Sequence, residues 1–333
     1  MSHYFLTGAT GFVGGRLARL LRAAAHDVTT VVRDPAKAAD LVALGVRVHA
    51  GDITRRDTLD RPMAGADGVF HVAGWYKVGV RDVSEGEAIN VRGTRNVLEA
   101  MRDLGTPRGV YTSTLAVFGD TRGKLVDESY RAGGPWLTEY DRTKWAAHVQ
   151  VAEPMMRDGL PLVIVQPGLI YGPGDASATG RTLRNYLRGR LAATPRGAEY
   201  CWSHVDDIAN AHVLAMERGR PGEEYIIAGP RHSLVEAFEI AERVTGLRAP
   251  PLHPAPGMMR AMAAMMGVVE RFVTVPETFT REGLRVVAGV TYLGDNARAR
   301  RELGYAPRPL EQGLRETLLP EMERLGLTPH PRA

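Results

Sequence analysis

Cysteine, lysine and long apolar runs are scarce in this 333-residue chain, and each shortage excludes a class of protein. The single cysteine, Cys201, excludes an intramolecular disulfide framework and a cysteine-rich zinc site, and it fits a reducing compartment. Only four of the 42 basic residues are lysines, and no basic run interleaved with aromatic residues predicts a nucleic-acid partner. The apolar segment 255–275 is interrupted by Arg260, Glu270 and Arg271, so we predict no membrane span. The N-terminus does not resemble a signal peptide. We therefore expect a cytoplasmic protein without a metal site.

Short apolar runs alternate with helical patterns through the first half of the chain. This alternation, with valine- and isoleucine-rich runs, predicts an α/β fold with a doubly wound parallel sheet of the Rossmann type. The predicted strands are His3–Thr7, Asp27–Val32, Val46–His49, Gly68–Val72, Gly109–Thr112 and Leu162–Gln166. The predicted helices lie near Phe12–Ala25, Pro35–Leu44, Ser84–Leu104 and Trp136–Arg157.

The alternation stops after Pro167, where a turn cluster and a Gly/Arg-rich stretch begin. We expect a cofactor-binding domain over residues 1–170 and a smaller, interleaved substrate lobe over residues 171–330. Residues 204–228 return to the sheet in this prediction, through a strand at Tyr225–Ala228. The helices predicted for this half are Ile208–Arg218, Leu234–Thr245, Met258–Phe272 and Leu310–Leu325.

Three glycines follow the first predicted strand and open the first predicted helix. Gly8 permits a tight turn, Gly11 allows the backbone to approach a pyrophosphate, and Gly14 lets helix and strand pack closely. Free amides and the helix dipole favour an anion at that helix terminus. The alternative is a flexible glycine turn without a ligand. The strand before and the helix after the turn favour dinucleotide binding.

The residues after the second strand bear on the choice of nicotinamide cofactor. Arg33 stands at the first position, where a guanidinium can hold a 2′-phosphate through two hydrogen bonds. Asp34 follows, and it can either cap a helix that begins at Pro35 or accept from a ribose hydroxyl. A solvated arginine beside a capping aspartate is the alternative interpretation. We expect NADP, with NAD as the less favoured cofactor.

Tyr140 and Lys144 are four residues apart, which places them on one face of a helix. A neighbouring ammonium should lower the pKa of the phenol, so that it can exchange a proton with a carbonyl or alcohol. The alternative is an ordinary surface pair. The strand Gly109–Thr112 precedes this helix and delivers the hydroxyls of Ser113 and Thr114 to the crevice of the sheet.

These motifs resemble the extended short-chain dehydrogenases/reductases, and matching segments run from residue 4 to about residue 318. Residues 113–119 read STLAVFG, residues 90–100 read NVRGTRNVLEA, and residues 204–209 read HVDDIA. The segment 166–175 has Gln166 where the family pattern has arginine. By this alignment Thr114, with Ser113 as the alternative, takes the catalytic hydroxyl position beside Tyr140 and Lys144.

The GDI turn after the third strand resembles the element that holds adenine, through Asp52. The resemblance implies that the cofactor contacts Gly8, Thr10, Gly11, Phe12, Val13, Gly14, Arg33, Asp52, Ile53, Val72, Ala73, Gly74, Asn90, Thr112, Ser113, Tyr140, Lys144, Gln166, Pro167, Gly168 and Ile170.

Three departures from the family pattern narrow the chemistry that the resemblance implies. Tyr200 stands where sugar-nucleotide epimerases carry an arginine for the substrate diphosphate. Leu115 and Ala116 stand where sugar dehydratases carry an Asp-Glu pair. Arg33 favours NADP, whereas epimerases of this family generally retain NAD. The remaining resemblance is to the dihydroflavonol-reductase and 3β-hydroxysteroid-dehydrogenase-like branch.

We therefore expect an NADP(H)-dependent oxidoreductase that reduces a carbonyl, or oxidises the alcohol, of a moderately apolar small molecule. One alternative is a sugar or sugar-nucleotide epimerase with transient oxidation, and another is a non-catalytic dinucleotide sensor. A homodimer is a possible assembly.

Five methionines between Met258 and Met266 either line the substrate pocket or pack in the core or at a dimer contact. Trp75, Tyr76 and Trp202 are candidates for an aromatic wall. His71, His204 and His212 are expected to be core residues.

Overall fold

The structure, a computed structural model, describes residues 1–80 and 82–327. Its strands are β1 His3–Thr7, β2 Asp27–Val32, β3 Arg47–Ala50, β4 Gly68–His71, β5 Gly109–Thr112, β6 Leu162–Pro167, β7 Leu169–Tyr171, β8 Glu199–His204, β9 Glu224–Ile227, β10 Arg231–Ser233 and β11 Thr291–Tyr292. Its α-helices are α1 Phe12–Ala23, α2 Ala39–Ala43, α3 Asp60–Met63, α4 Ser84–Gly86, α5 Thr94–Asp103, α6 Glu139–Ala147, α7 Glu153–Arg157, α8 Ala178–Leu187, α9 Val205–Arg218, α10 Leu234–Thr245, α11 Pro256–Val269, α12 Arg281–Arg285, α13 Ala297–Leu303 and α14 Leu310–Arg324.

Seven parallel strands form the main sheet, in the order β3-β2-β1-β4-β5-β6-β9. Adjacent side chains of β1 face opposite sides of it. Leu6 packs against α1 and α9, and Phe5 packs against α3 and α5. Each strand is therefore buried on both faces, which explains its continuous apolar sequence. The predicted doubly wound parallel sheet is confirmed.

The strand order reverses between β1 and β4, so their carboxyl ends border a crevice of the kind that binds ligands in doubly wound folds. The residues that follow β1, β4, β5 and β6 meet at this edge of the sheet. They include the glycine turn, Val72–Gly74 and the hydroxyls at 112–114. The topology therefore gathers most of the predicted site residues in one place.

A second, smaller sheet belongs to the other half of the chain. β8 pairs in parallel with β7 and β11 and antiparallel with β10, and α8, α10 and α14 cover it. The sequence analysis missed these four strands. β10 and β11 have three and two residues, and β8 carries Cys201, Trp202 and Ser203 without the alternation of a half-buried strand.

Two of the helices predicted from periodicity are interrupted by π-helical turns. Residues 87–93 are π-helical between α4 and α5, and residues 148–152 are π-helical between α6 and α7. Both turns lie beside the predicted catalytic residues, where such bulges are often found. None of the helices in the described ranges combines the length and apolarity that crossing a bilayer requires.

Candidate active site

The glycine turn after β1 leaves no room for side chains. Gly8 has φ +74°, and a Cβ there would lie 2.7 Å from the backbone nitrogen of Ala73. A Cβ on Gly14 would lie 2.1 Å from the carbonyl oxygen of Gly8. The Gly11 amide donates to that same oxygen at 2.9 Å, and α1 begins at the next residue. This turn exposes the N-terminus of α1 to an anion, so the cradle fits a dinucleotide pyrophosphate.

The loop after β4 is fastened to the end of β1. The Thr7 hydroxyl accepts hydrogen bonds from the amides of Val72 and Ala73, both at 3.2 Å. Farther along, Asn90 Oδ1 accepts from the Trp75 amide at 2.7 Å, and Asn90 Nδ2 donates to the Trp75 carbonyl at 3.0 Å. The segment 72–75 is therefore held rigidly along the crevice, in the position predicted to contact the cofactor.

Asp34 and Asp52 are both engaged by neighbouring backbone at the far end of the crevice. Asp34 caps the 3₁₀ turn that begins at Pro35 by accepting from the Ala36 amide at 3.2 Å. Asp52 accepts from both the amide and the hydroxyl of Thr54, each at 2.9 Å. Arg33 is exposed, and no carboxylate in the described part of the chain lies within ion-pairing distance of it. Its guanidinium is therefore available to an anion.

The helix that carries the predicted catalytic pair begins just before Tyr140. Thr138 caps it by accepting from the Asp141 amide at 3.0 Å. The half-buried Tyr140 ring lies near the end of β5, with its hydroxyl close enough to the hydroxyl of Thr114 for Thr114 to lower its pKa. The structure thus brings together two of the three predicted catalytic groups. Thr114 also accepts from the Ala116 amide at 3.2 Å, which fixes its rotamer.

Lys144 is buried one turn along the same helix. Its ammonium donates to the Thr112 carbonyl at 2.7 Å and to the Tyr111 hydroxyl at 3.2 Å, and it lies 4.8 Å from the centre of the Tyr111 ring. Burial lowers the pKa of Lys144 to about 7. Burial also raises the pKa of Tyr140 to about 12, against the smaller opposing effect of the nearby Thr114 hydroxyl.

The expectation that Lys144 lowers the pKa of Tyr140 is wrong for this structure. The spacing placed the two residues on one face of the helix, but Lys144 is drawn instead to the strand, by Thr112 and Tyr111. Tyr140 is therefore a protonated phenol at neutral pH, in the form that donates a proton.

A chain of buried polar groups joins the glycine turn to the neighbourhood of Lys144. The Thr7 hydroxyl contacts His71 Nδ1 at 2.8 Å, and His71 Nε2 contacts the Thr94 hydroxyl at 3.0 Å. Thr94 in turn lies close enough to Tyr111 to affect the pKa of its phenol, and the Tyr111 hydroxyl accepts from Lys144 at 3.2 Å. Burial lowers the pKa of His71 to about 3, so the imidazole is neutral and has a structural role.

Ser113 and Gln166 face away from Tyr140, into a buried cluster that the sequence analysis did not find. Ser113 Oγ lies 2.7 Å from His148 Nδ1. His148 Nε2 lies 3.2 Å from a carboxylate oxygen of Glu224 and 3.5 Å from one of Glu153. Gln166 donates to Glu224 at 3.2 Å. The replacement of the family arginine by Gln166 was the available signal, because a neutral amide beside the buried Glu224 leaves that carboxylate to be paired by His148 and, at 3.9 Å, by Arg131. That Ser113 and Gln166 contact the cofactor stays a prediction.

The aromatic candidates occupy different environments. Tyr76 is exposed, whereas Trp75 is buried against Gly86 of α4. Trp202 packs inside the smaller sheet and donates its indole N–H to the His232 carbonyl at 3.1 Å. His204 and His212 are buried, as is His71, and burial lowers the pKa of each of the three.

Tyr200 fills the position where the resemblance would place an arginine. Its hydroxyl donates to the Val286 carbonyl at 2.7 Å, and its ring stacks on Tyr292 at 6.1 Å. Tyr292 donates to the buried carboxyl of Asp141 at 2.9 Å. Burial raises the pKa of Asp141 to about 6. These groups offer aromatic surface and an acid, and none of them is a cation for a diphosphate.

Comparison with known proteins identifies the family. The model of the NAD-dependent epimerase/dehydratase family matches residues 4–228. The chain belongs to this family. It is an enzyme of the extended short-chain dehydrogenase/reductase type, as the sequence motifs predicted.

Its relatives include proteins named as reductases. One from Synechocystis sp., which carries the name of dihydroflavonol 4-reductase, is 31% identical over 328 residues, covering 95% of this chain and 93% of the relative. The 4-hydroxy-2-methyl-3-oxo-4-farnesyl-3,4-dihydroquinoline-1-oxide ketoreductase of Stigmatella aurantiaca is 31% identical, covering 92% of this chain and 93% of the relative. The crystal structure of gox2253 superposes with a TM-score of 0.83 at 29% identity, covering 98% of this chain and all of that one.

Proposed function

We propose that this enzyme is an NADP(H)-dependent carbonyl reductase for a moderately apolar substrate. The observation that carries the proposal is the hydroxyl pair of Tyr140 and Thr114, held at the end of β5 beside the buried Lys144 and across the crevice from the glycine cradle. In this proposal residues 1–170 hold the cofactor and residues 171–330 hold the substrate.

The reaction divides between the cofactor and the protein. A bound NADPH supplies a hydride to the carbonyl carbon of the substrate. The Tyr140 hydroxyl donates its proton to the carbonyl oxygen as negative charge develops there, and the Thr114 hydroxyl orients that oxygen. Tyr140 is protonated at neutral pH, as a proton donor must be. Lys144, held by the Thr112 carbonyl and the Tyr111 hydroxyl, would bind the nicotinamide ribose rather than lower the pKa of Tyr140.

The contacts around the crevice support an apolar carbonyl compound over a sugar nucleotide. Tyr200 has its hydroxyl tied to Val286 and its ring stacked on Tyr292, so it supplies no charge for a diphosphate. Leu115 and Ala116, which follow Thr114, are buried and have no acid or base function. The two relatives named as reductases act, by their names, on a dihydroflavonol and on a farnesyl-bearing dihydroquinoline oxide.

The cofactor preference rests on Arg33 and Asp34. Asp34 is committed to its helix cap, and Arg33 extends into solvent without a carboxylate partner among the described residues. A 2′-phosphate would supply the missing counter-charge, whereas a ribose hydroxyl would leave the guanidinium without one.

Incubation of the enzyme with NADPH and a panel of apolar ketones tests the function. We expect NADPH to be consumed in proportion to the alcohol formed. An epimerase would interconvert UDP-glucose and its epimer with no net consumption of NADPH. That outcome, together with inertness toward every ketone, would contradict the proposal.

A further inference from the structure

Helix α11 is apolar on two faces, although only one of them is covered. Met259 and Ala263 face inward, where they pack with Leu284 and Ala288. The opposite face exposes a stripe formed by Met258, Ala261, Met265 and Val268, at spacings of three and four residues. An apolar stripe of this kind ordinarily faces a core.

The stripe continues past the end of the helix. Phe272 is 81% exposed and Val273 is 50% exposed, and Phe279 in the following 3₁₀ turn is 54% exposed. The backbone amide of Arg281 donates to Glu270 at 3.0 Å, which brings the segment after Phe279 back to the end of α11. We call this surface, formed by Met258, Ala261, Met265, Val268, Phe272, Val273 and Phe279, the α11 surface.

The charged groups around the α11 surface are mainly guanidiniums. Arg260, Arg271 and Arg281 are exposed. Within the described ranges, no ion pair joins any of these three guanidiniums to a carboxylate, although two carboxylates lie along the same segment. Glu270 accepts from the Arg281 backbone amide at 3.0 Å, and the exposed Glu277 is paired with Arg181 at 2.5 Å. The surface thus combines exposed aromatic and aliphatic groups with positive charge that lacks a counter-charge.

We propose that the α11 surface binds the headgroup region of an anionic phospholipid bilayer. Apolar side chains flanked by arginines are the composition that binds at such an interface. A second copy of the chain that docked through the same surface is a poorer occupant, because it would bring three more guanidiniums to the contact. Anionic lipid phosphates supply the counter-charge that the surface lacks.

The α11 surface lies beside the active site, so membrane contact would place the active site close to substrate dissolved in the bilayer. This role of the contact rests on the proposed function. Glu282 of α12 accepts from the amide of Glu139, the first residue of the catalytic helix, at 3.2 Å. It also accepts from the Gly79 amide, in the loop beyond Trp75, at 2.9 Å. An apolar substrate dissolved in a bilayer would therefore reach the crevice close to the docked surface.

Co-sedimentation of the full chain with vesicles tests the proposal without requiring turnover. One vesicle is phosphatidylcholine alone, and the other is equal parts phosphatidylcholine and phosphatidylglycerol. We expect binding to the mixed vesicles, weakened by salt. Met265→Asp and Phe272→Ser should each reduce that binding by at least about tenfold. Met265→Leu should retain it. Leu125→Asp, which changes a residue of similar exposure elsewhere, is the matched control.

Arg271→Glu separates the electrostatic contribution, since it should weaken binding to the mixed vesicles only. Thermal melting confirms that each variant is folded. The proposal is overturned if the wild type does not sediment with the mixed vesicles, or if Met265→Asp binds as well as Leu125→Asp. A third outcome also overturns the proposal: the wild type does not bind vesicles, it is a dimer, and Met265→Asp converts the dimer to monomers. Loss of ketone reduction with intact vesicle binding would instead contradict the proposed function.

Discussion

Ser113 Oγ lies 2.7 Å from Nδ1 of His148, on the side of the strand end opposite to Tyr140. The next residue, Thr114, has its hydroxyl beside that of Tyr140. Two adjacent hydroxyls at the end of β5 thus serve different parts of the molecule, since neighbouring side chains of an extended segment point to opposite faces.

Thr114→Ala should therefore lower kcat/KM for ketone reduction far more than Ser113→Ala does. The first substitution removes the hydroxyl that orients the substrate oxygen, and we expect a loss of at least about tenfold. Ser113→Ala should act mainly on stability, through the hydrogen bond to His148. Steady-state kinetics and thermal melting of both variants measure the two effects. A greater catalytic loss in Ser113→Ala would reverse the assignment.

His148 should make stability depend on pH. Burial alone would lower the pKa of His148, but the carboxylates of Glu153 and Glu224 together raise it above 6.5. The imidazolium therefore stabilises the fold fully below pH 6.5, and this contribution is lost as the pH rises through the folded-state pKa. His148→Gln should cost more stability just below pH 6.5 than at about pH 8. Chemical denaturation at both pH values measures this, with the exposed His49→Gln as control. An equal cost at both would show that His148 is neutral.

Burial of Lys144 should lower the free energy of unfolding at neutral pH. Its pKa falls from 10.5 to about 7 because the ammonium is buried. Lys144 therefore binds a proton more weakly in the folded protein than in the unfolded chain. The resulting loss of folding stability is complete below about pH 7 and disappears as the pH approaches 10.5. Lys144→Met should abolish turnover yet raise the melting temperature more at pH 7 than near pH 10. Lys124→Met, at an exposed position, should show no such difference. A gain independent of pH would contradict the lowered pKa.

Much of the main sheet could be predicted from sequence because its strands are buried on both faces. The bounds of β1, β2 and β5 match the predicted strands, and the glycine turn lies where its context indicated. The substrate lobe could not be predicted in the same way, because β7, β10 and β11 are short and depend on pairing with β8 rather than on their own composition.

The position of the candidate site could be predicted from the sequence, but the pKa values of its residues could not. Helical spacing placed Tyr140 and Lys144 on one face, yet it contained no information about Tyr111 and the Thr112 carbonyl, which attract the ammonium. The His148 cluster joins residues from four separate segments, so no local motif indicated it. The bounds of the two lobes and the contacts of the cofactor stay predictions.

Arg33 should determine the cofactor preference. Charge-assisted hydrogen bonds to a 2′-phosphate contribute roughly 1.5–3 kcal/mol each, so NADPH should bind at least about tenfold more tightly than NADH. Arg33→Ala should remove the preference by weakening NADPH. Fluorescence titration of both cofactors measures this, and the neighbouring exposed Lys37→Ala is the control. Equal binding of NADH and NADPH by the wild type would show that Arg33 is an ordinary surface residue.

The single-turnover rate of Tyr140→Phe tests the central claim most directly. Enzyme saturated with NADPH is mixed with a ketone that the wild type reduces, and cofactor oxidation is followed by absorbance. In the proposed mechanism the phenol acts on the reacting oxygen rather than on the phosphates at the glycine cradle, so NADPH affinity should be nearly unchanged. We predict that the rate falls to less than roughly a hundredth of the wild-type rate, the loss expected when a general acid is removed. A rate above that level, with NADPH affinity intact, would contradict the role of Tyr140 as the proton donor.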